Sequence, residues 1–251
     1  MKTKIYSILI AFIVCFNTYA IGDFNLEKAE QAYAATEYDK ALEVYNSALE
    51  MGYESADLYY NVANCYYRKG ELAASILNYE RALKLDPSHE DAQHNLELAQ
   101  LKTVDKIDVI GSVFFVNWWN AICNIASANT WAVISIIFFI VALISLSLYI
   151  FVRKLWVRKV GFSVSLVALF FTVISLCSAN SRYNVETSNA SAIVFMQTVT
   201  VKSSPDNSGN DLFILHEGTK VNIKSTLGDW VEINTLDGNS GWMPASSIEV
   251  I

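Results

Sequence analysis

The chain has 251 residues, a formal net charge of -7 and 53% hydrophobic residues. The apolar excess gathers at the N-terminus and in the middle, which marks membrane segments and excludes one large soluble core. Both soluble parts are acidic, which excludes a nucleic-acid-binding face built on Lys/Arg patches. Four Cys and three His at scattered positions exclude a disulfide framework and a metal centre.

Residues 1–20 open with Met1-Lys2-Thr3-Lys4, continue as an apolar run from Ile5 to Phe16, and end with small residues at Thr18 and Ala20. This is the pattern of a secretory signal cut after Ala20, with an uncleaved anchor as the alternative. The run is about a dozen residues, short of the ~20 that cross a bilayer. Cys15 lacks the small residues that precede a lipidated cysteine.

Between residues 22 and 102 the chain repeats itself. Ala41-Leu42-Glu43-Val44-Tyr45-Asn46-Ser47-Ala48-Leu49 matches Ser75-Ile76-Leu77-Asn78-Tyr79-Glu80-Arg81-Ala82-Leu83 at an offset of about 34 residues, the tetratricopeptide period. The second unit, from Ala56 to about Ser88, is the more complete. It has Tyr59, Val62, Ala63 and Tyr66 on its first helix, Gly70 at the turn, and Ser75, Tyr79 and Ala82 on its second helix. Pro87 cannot continue that helix and ends it. In the first unit Thr36 stands where the glycine is expected. A further helix over 90–102 reads as a cap, needed because two repeats are marginal for a solenoid. Cys65 falls at a small buried position of the repeat.

First helices of such pairs line a concave groove. The residues expected there are Asp57, Tyr60, Asn64, Tyr67 and Arg68, with Asp91 and His94 from the cap helix. Arg68 and Asn64 would clamp an extended peptide or its C-terminal carboxylate. The plain alternative is a solvated groove with no dedicated ligand.

Residues 103–130 form a linker rich in aromatic residues. Its 107–125 portion carries Trp118 and Trp119 but is interrupted by Asp108, Gly111, Asn117 and Asn120. It reads as an interfacial segment on the outer leaflet, or else as a partner-binding element. Residues 131–152 and 160–178 are uncharged and long enough to cross the hydrocarbon layer. Neither span holds an ionisable residue of the kind that marks an ion pathway. The loop at 153–159 carries Arg153, Lys154, Arg158 and Lys159, and positive residues beside spans stay cytoplasmic. Both soluble domains are then expected on the opposite, periplasmic side.

From about 189 to 251 the pattern changes to short alternating strands with turns. Strands are expected at 192–195, 199–203, 220–225, 230–234 and 241–244, closing as a small barrel. Leu215-His216-Glu217-Gly218-Thr219-Lys220-Val221, Gly228-Asp229-Trp230-Val231 and Asp237-Gly238-Asn239-Ser240-Gly241-Trp242-Met243 resemble a bacterial SH3 domain. Relatives of that kind bind proteins or cell-wall peptides. Trp230 is expected to pack the interior. Trp242 is open between packing and serving as a binding surface.

The fold expected is thus a multi-domain membrane protein: an all-α repeat domain, two transmembrane helices and an all-β SH3-like barrel. The complete arrangement resembles the E-type family of the Bacteroides aerotolerance (Bat) operon. That resemblance implies an inner-membrane location, a role in oxidative stress, and partners among von Willebrand A (VWA)-domain membrane proteins and a MoxR-type ATPase. The residues themselves show no nucleophile–base pair, phosphate loop, metal-ligand set or paired carboxylates, and imply no cofactor. They point to a scaffold displaying protein-binding modules, with a peptidoglycan-binding anchor as the alternative.

Overall fold

The computed structural model describes residues 26–106, 111 and 113–251. The signal-like segment 1–20 with Cys15, and Asp108 of the linker, lie outside the described residues.

The repeat region is five antiparallel helices: α1 (Leu26–Ala34), α2 (Tyr38–Glu50), α3 (Ala56–Lys69), α4 (Leu72–Leu85) and α5 (Glu90–Gln100). The 34-residue offset is visible in the packing. Ala29 and Ala63 are both fully buried, as are Ala41 and Ser75, and Tyr45 and Tyr79 fill matching gaps at 2% and 1% exposure. Small residues bring the paired helices close, and a tyrosine ring fills each space left between them. Cys65 is fully buried in this core, and burial pushes its thiol up to about 11.

The turns explain the sequence. Ser55 caps α3 by accepting from the Leu58 amide at 3.1 Å. Gly70 ends that helix at φ +82°, with the Glu71 amide reaching back to the Tyr66 carbonyl at 3.0 Å. Thr36 occupies the equivalent position after α1 and is forced to φ +62°, with the Glu37 amide bonded to the Ala32 carbonyl at 2.9 Å. A β-branched residue is strained in that conformation, so the repeat geometry has overridden the preference of its own residue.

α6 (Phe114–Cys123) follows, then α7 (Ala128–Phe151) and α8 (Leu155–Thr187). α7 and α8 are long and apolar enough to cross a membrane. Their contact seam is lined by small residues: Ser135, Ala142 and Ser145 on α7, and Gly161, Ala168 and Ser175 on α8. A Cβ at Gly161 would lie 2.9 Å from the Ser145 carbonyl oxygen, so only glycine permits this approach. Phe138 stacks on Phe171 at 5.3 Å. Large apolar side chains such as Phe139, Ile144, Leu166 and Phe170 point outward, as on a lipid-facing surface.

The turn between the two helices is shorter than the seven-residue loop expected. α8 already begins at Leu155, which places Arg158 on its first turn and Lys159 at the start of the next. Arg158 donates to the Tyr149 carbonyl at 3.2 Å and lies 5.2 Å from the Tyr149 ring, closing the C-terminal end of α7. At its other end α8 continues beyond the expected limit at 178, through Arg182 and Glu186 to Thr187.

The C-terminal domain has seven strands: β1 (Ser191–Val194), β2 (Thr198–Lys202), β3 (Asp211–His216), β4 (Lys220–Leu227), β5 (Trp230–Thr235), β6 (Ser240–Pro244) and β7 (Ile248–Val250). They form one antiparallel sheet in the order β3-β2-β6-β5-β4-β1-β7. Val199 and Leu215 from one end of the sheet meet Ala192 and Val194 from the other in a single core with Val231, Ile233 and Met243. The sheet therefore curls on itself, helped by irregular registers at Val201/Lys202 and Ile223/Ser225. β3 and β7 lie outside the five strands expected. β3 is an edge strand whose Leu212 and Ile214 are exposed, so its apolar run shows no clean alternation. β7 is three residues long.

The repeat region and the sheet domain are packed together. On β1, Ala192 and Val194 point into the sheet's own core, while Ile193 is fully buried among Ile76, Leu77, Tyr79 and Leu96 of the repeats. One strand thus serves two cores. Gly218, at φ +83°, lies where a Cβ would touch Ile76 Cδ1 and Thr103 Cγ2 at 3.0 Å. Polar contacts surround this seam. Lys220 pairs with Glu80 at 2.6 Å, and Arg81 donates to the Val250 carbonyl at 2.8 Å. Asp105 accepts from the His216 amide at 2.7 Å and the Thr219 hydroxyl at 2.7 Å, and meets His216 Nδ1 at 2.8 Å. The two soluble parts, read separately from the sequence, form one unit.

Candidate interaction surfaces

The sheet domain covers the α4 side of the repeats, so the face formed by α1, α3 and α5 stays open. A pocket of about 190 Å³ lies there, lined by Tyr33, Asn64, Tyr67, Arg68, Asn95 and Leu98. It is smaller than the roughly 300–1,000 Å³ usual for small-molecule sites. Its size suits one or two side chains of an extended peptide.

Hydrogen bonds hold the pocket in shape. Asn64 Oδ1 accepts from the Tyr79 hydroxyl at 2.6 Å and from Asn95 Nδ2 at 3.0 Å. Its carbonyl is therefore committed to the scaffold and not to a ligand. Arg68 Nε donates to the Tyr38 hydroxyl at 3.0 Å, which orients the guanidinium at the pocket. Lys102 Nζ lies 4.0 Å from the centre of the Tyr67 ring, a cation–π contact at the rim.

Of the expected groove residues, the structure brings Asn64, Tyr67 and Arg68 together. Tyr60 lies behind them, its ring tilted against that of His89 at 4.8 Å and its hydroxyl within 3.4 Å of Asn95 Nδ2. Asp57 stands at the start of α3, paired with His89 Nε2 at 3.3 Å. His94 and Asp91 are exposed and do not line the pocket. The cap helix presents Asn95 and Leu98 instead, one residue on from the expected His94. Ala92, Leu96 and Ala99 face the core and fix that rotation.

The second surface is the outer face of the sheet domain. On β5, Val231 and Ile233 are buried, so Trp230 and Glu232 lie on the opposite face. Trp230, expected inside, is therefore an outer-face residue, half-buried beside Pro244 and the exposed Leu227 in the strand register. Trp242 pairs in register with Glu232 on one side and Lys202 on the other. Its neighbours on β6, Gly241 and Met243, point inward. A Cβ at Gly241 would lie 2.5 Å from Val201 Cγ1, so glycine there lets β2 and β6 close. The result is a shallow face with two tryptophans, beside which Glu232 pairs with Lys224 at 3.5 Å and Lys202 with Asp211 at 2.8 Å.

α6 offers a third surface. Phe114, Phe115 and Trp118 are exposed at 81%, 58% and 65%, while Cys123 at its end is buried against the hairpin. Trp131 Nε1 donates to the Cys123 carbonyl at 3.0 Å and ties α6 to the start of α7.

Comparison with known families agrees with this reading of the parts. A family model described as tetratricopeptide repeat matches residues 26–90, and one described as bacterial SH3 domain matches residues 197–249. No curated protein matches the chain. The chain therefore carries a tetratricopeptide repeat region and a bacterial SH3 domain, two folds of interaction more than of catalysis, joined through a pair of helices long and apolar enough for membrane anchoring.

Proposed function

We propose that the protein is an inner-membrane scaffold whose repeat groove captures an exported or membrane protein partner on the periplasmic side. The observation that carries this reading is the placement of the SH3 domain behind α4, which leaves the groove of Asn64, Tyr67 and Arg68 open. Arg153, Lys154, Arg158 and Lys159 cluster where α7 meets α8, and basic residues at one end of a hairpin favour the cytoplasmic side for that end. The exposed aromatics of α6 would then rest at the outer-leaflet interface. The finer assignment is to an aerotolerance assembly with VWA-domain membrane proteins and a MoxR-type ATPase. It draws on the order of signal, repeats, Trp-rich linker, hairpin and SH3 domain along the chain.

The test is a photocrosslinking residue at Tyr67 in the full-length protein in cells. A dominant adduct with a VWA-domain membrane protein, lost when Arg68 is replaced by Ala, supports the proposal. Correct insertion without any adduct refutes it. A second reading, wall binding through the outer face of the SH3 domain, is favoured by Trp230 and Trp242 on adjacent strands of that face. It is tested by sedimentation of the intact protein with purified sacculi. The isolated SH3 domain would uncover Ile193, Phe195 and Ile251, which pack on the repeats, and is unsuitable for that measurement.

A further inference from the structure

The repeat period of about 34 residues lays the groove out in rows that cross its first helices. Tyr33, Tyr67 and Leu101 form one row, and Ala34, Arg68 and Lys102 the next. Leu101 closes α5 with helical backbone, so the equivalence holds to the end of that helix. Lys102 follows it and turns its Nζ over the Tyr67 ring at 4.0 Å, on the groove side. A third row runs from Glu30 through Asn64 to Leu98. The rows are polarised. Their one carboxylate, Glu30, stands on α1, whereas both cations and the exposed Leu98 and Leu101 stand toward α5.

Arg68 and Lys102 differ from other cations of the repeats. Lys40 meets Glu37 at 2.9 Å, Lys69 meets Asp39 at 2.7 Å and Glu71 at 2.8 Å, and Arg81 meets Glu249 at 3.1 Å. Among the described residues no carboxylate lies within ion-pair distance of Arg68 or Lys102. Arg68 meets the hydroxyl and the ring of Tyr38, and Lys102 meets the ring of Tyr67. A chain of net charge -7 thus keeps two cations without a carboxylate partner on one part of its groove, which attracts a carboxylate from elsewhere. The pocket floor is a fixed scaffold: Asn95 Nδ2 donates to Asn64 Oδ1 at 3.0 Å and reaches the Tyr60 hydroxyl at 3.4 Å, which uses both of its hydrogens. A terminal carboxylate sits on the main chain and needs donors converging on it from the floor. Here the positive charge stands at the rim, above a pocket walled by Tyr33, Tyr67 and Leu98. That layout suits an acidic side chain at the rim and an apolar side chain below it.

We infer that the groove takes an extended, internal segment of its protein partner in which an Asp or Glu adjoins a large apolar residue. The carboxylate lies against Arg68 and Lys102, and the apolar side chain enters between Tyr33, Tyr67 and Leu98. Repulsion from Glu30 sets the direction, with the acidic residue on the α5 side. This assignment rests on the proposal that the groove captures a partner, and it names the chemistry that the groove selects.

The test places a photocrosslinking residue at the exposed Leu101 of the full-length protein in cells and maps the crosslinked segment by mass spectrometry. That segment should hold an Asp or Glu beside a large apolar residue. Its synthetic peptide, acetylated at one end and amidated at the other, should bind the full-length protein in neutral detergent, read by fluorescence anisotropy. Arg68→Glu and Lys102→Glu should each weaken that binding about tenfold. A peptide with Lys at the acidic position should recover binding to Lys102→Glu, a gain that a misfolded groove could not give. Equal binding by wild type and both charge reversals, or a mapped segment without a carboxylate, would leave capture by the groove standing and overturn its acidic specificity. Binding that requires an uncapped C-terminus would assign the charge to a chain end and overturn the internal placement. Correctly inserted protein that yields no adduct would overturn the capture reading and this inference together.

Discussion

Replacing Asp105 with Ala removes an acceptor that joins the tail of the repeats to the turn between β3 and β4. The carboxylate holds the His216 amide at 2.7 Å, the Thr219 hydroxyl at 2.7 Å and the His216 ring at 2.8 Å, and its side chain is 16% exposed. Hydrogen bonds to a charged group contribute about 1.5–3 kcal/mol each, less when they share one acceptor and water can enter. About 3 kcal/mol for the group is a reasonable sum, or roughly 150-fold in a local opening constant. Hydrogen exchange of the intact protein in nanodiscs reads that opening directly. Amides at 216–219 should exchange about 100-fold faster in Asp105→Ala, while those of α2 stay unchanged. Equal exchange at 216–219 in both proteins would refute the latch. The pH dependence has a definite sign. Burial opposes the charge on Asp105, and the hydrogen bonds from Thr219 and His216 outweigh it and hold the carboxyl below its ordinary value. The folded form is thus stabilised above the ordinary carboxylate pKa of ~3.9, and this contribution is lost as pH falls through the depressed value. Between pH 5 and 8 the Asp105 carboxylate itself should leave protection at 216–219 unaltered.

Other outcomes follow from the same contacts. Ile193→Ala empties a site shared by two cores and should cost about 2–5 kcal/mol, with exchange rising together in α4 and β1; a rise in the SH3 domain alone would contradict the shared core. Thr36→Gly relieves the backbone strain at φ +62° and should stabilise the first repeat by about 0.5–1 kcal/mol after the added entropy of the unfolded glycine is counted, read as slower exchange in α1. Gly161→Leu drives a side chain into the Ser145 carbonyl and should abolish disulfide crosslinking between cysteines placed at 142 and 165, where Ser165 now donates to the Ala142 carbonyl at 3.1 Å. Cys65, fully buried and with its thiol raised to about 11, should resist maleimide at pH 7.5 until the repeats unfold.

Much of the architecture is legible in local pattern. The Ala63, Tyr79 and Ala82 spacing announces paired helices because close packing needs small residues at fixed intervals. The uncharged runs announce long apolar helices by length alone. Thr36 is visible as a departure from the expected glycine, though its strained φ shows only in three dimensions. The contacts between domains are not legible. Ile193 sits in an ordinary apolar strand, and nothing nearby says that its outer face meets α4. Asp105 reads as a linker charge and Arg182 as the polar end of a span, because the groups they hydrogen-bond lie 111 or more and 58 or more residues away in the chain. Trp230 was legible as part of a Gly-Asp-Trp turn. Its outward side follows from the alternation with Val231 and Ile233, which fixes which face of β5 is buried. His94 was displaced by Asn95 because one residue turns a helix by about 100°, so a groove position shifts with a small error in which face is buried.

The repeats and SH3 domain form a single rigid unit that presents the groove away from its own back face. Electron–electron distance measurement between spin labels at Met51→Cys and Leu227→Cys tests it most directly. Both native side chains are exposed, at 67% and 60%, and Cys177, the exposed native thiol among the described residues, is replaced by Ser. One narrow distance distribution in nanodiscs, broadened by Ile193→Ala, is expected of a single unit. A broad distribution in the parent protein would mean two tethered domains moving independently, and would contradict it.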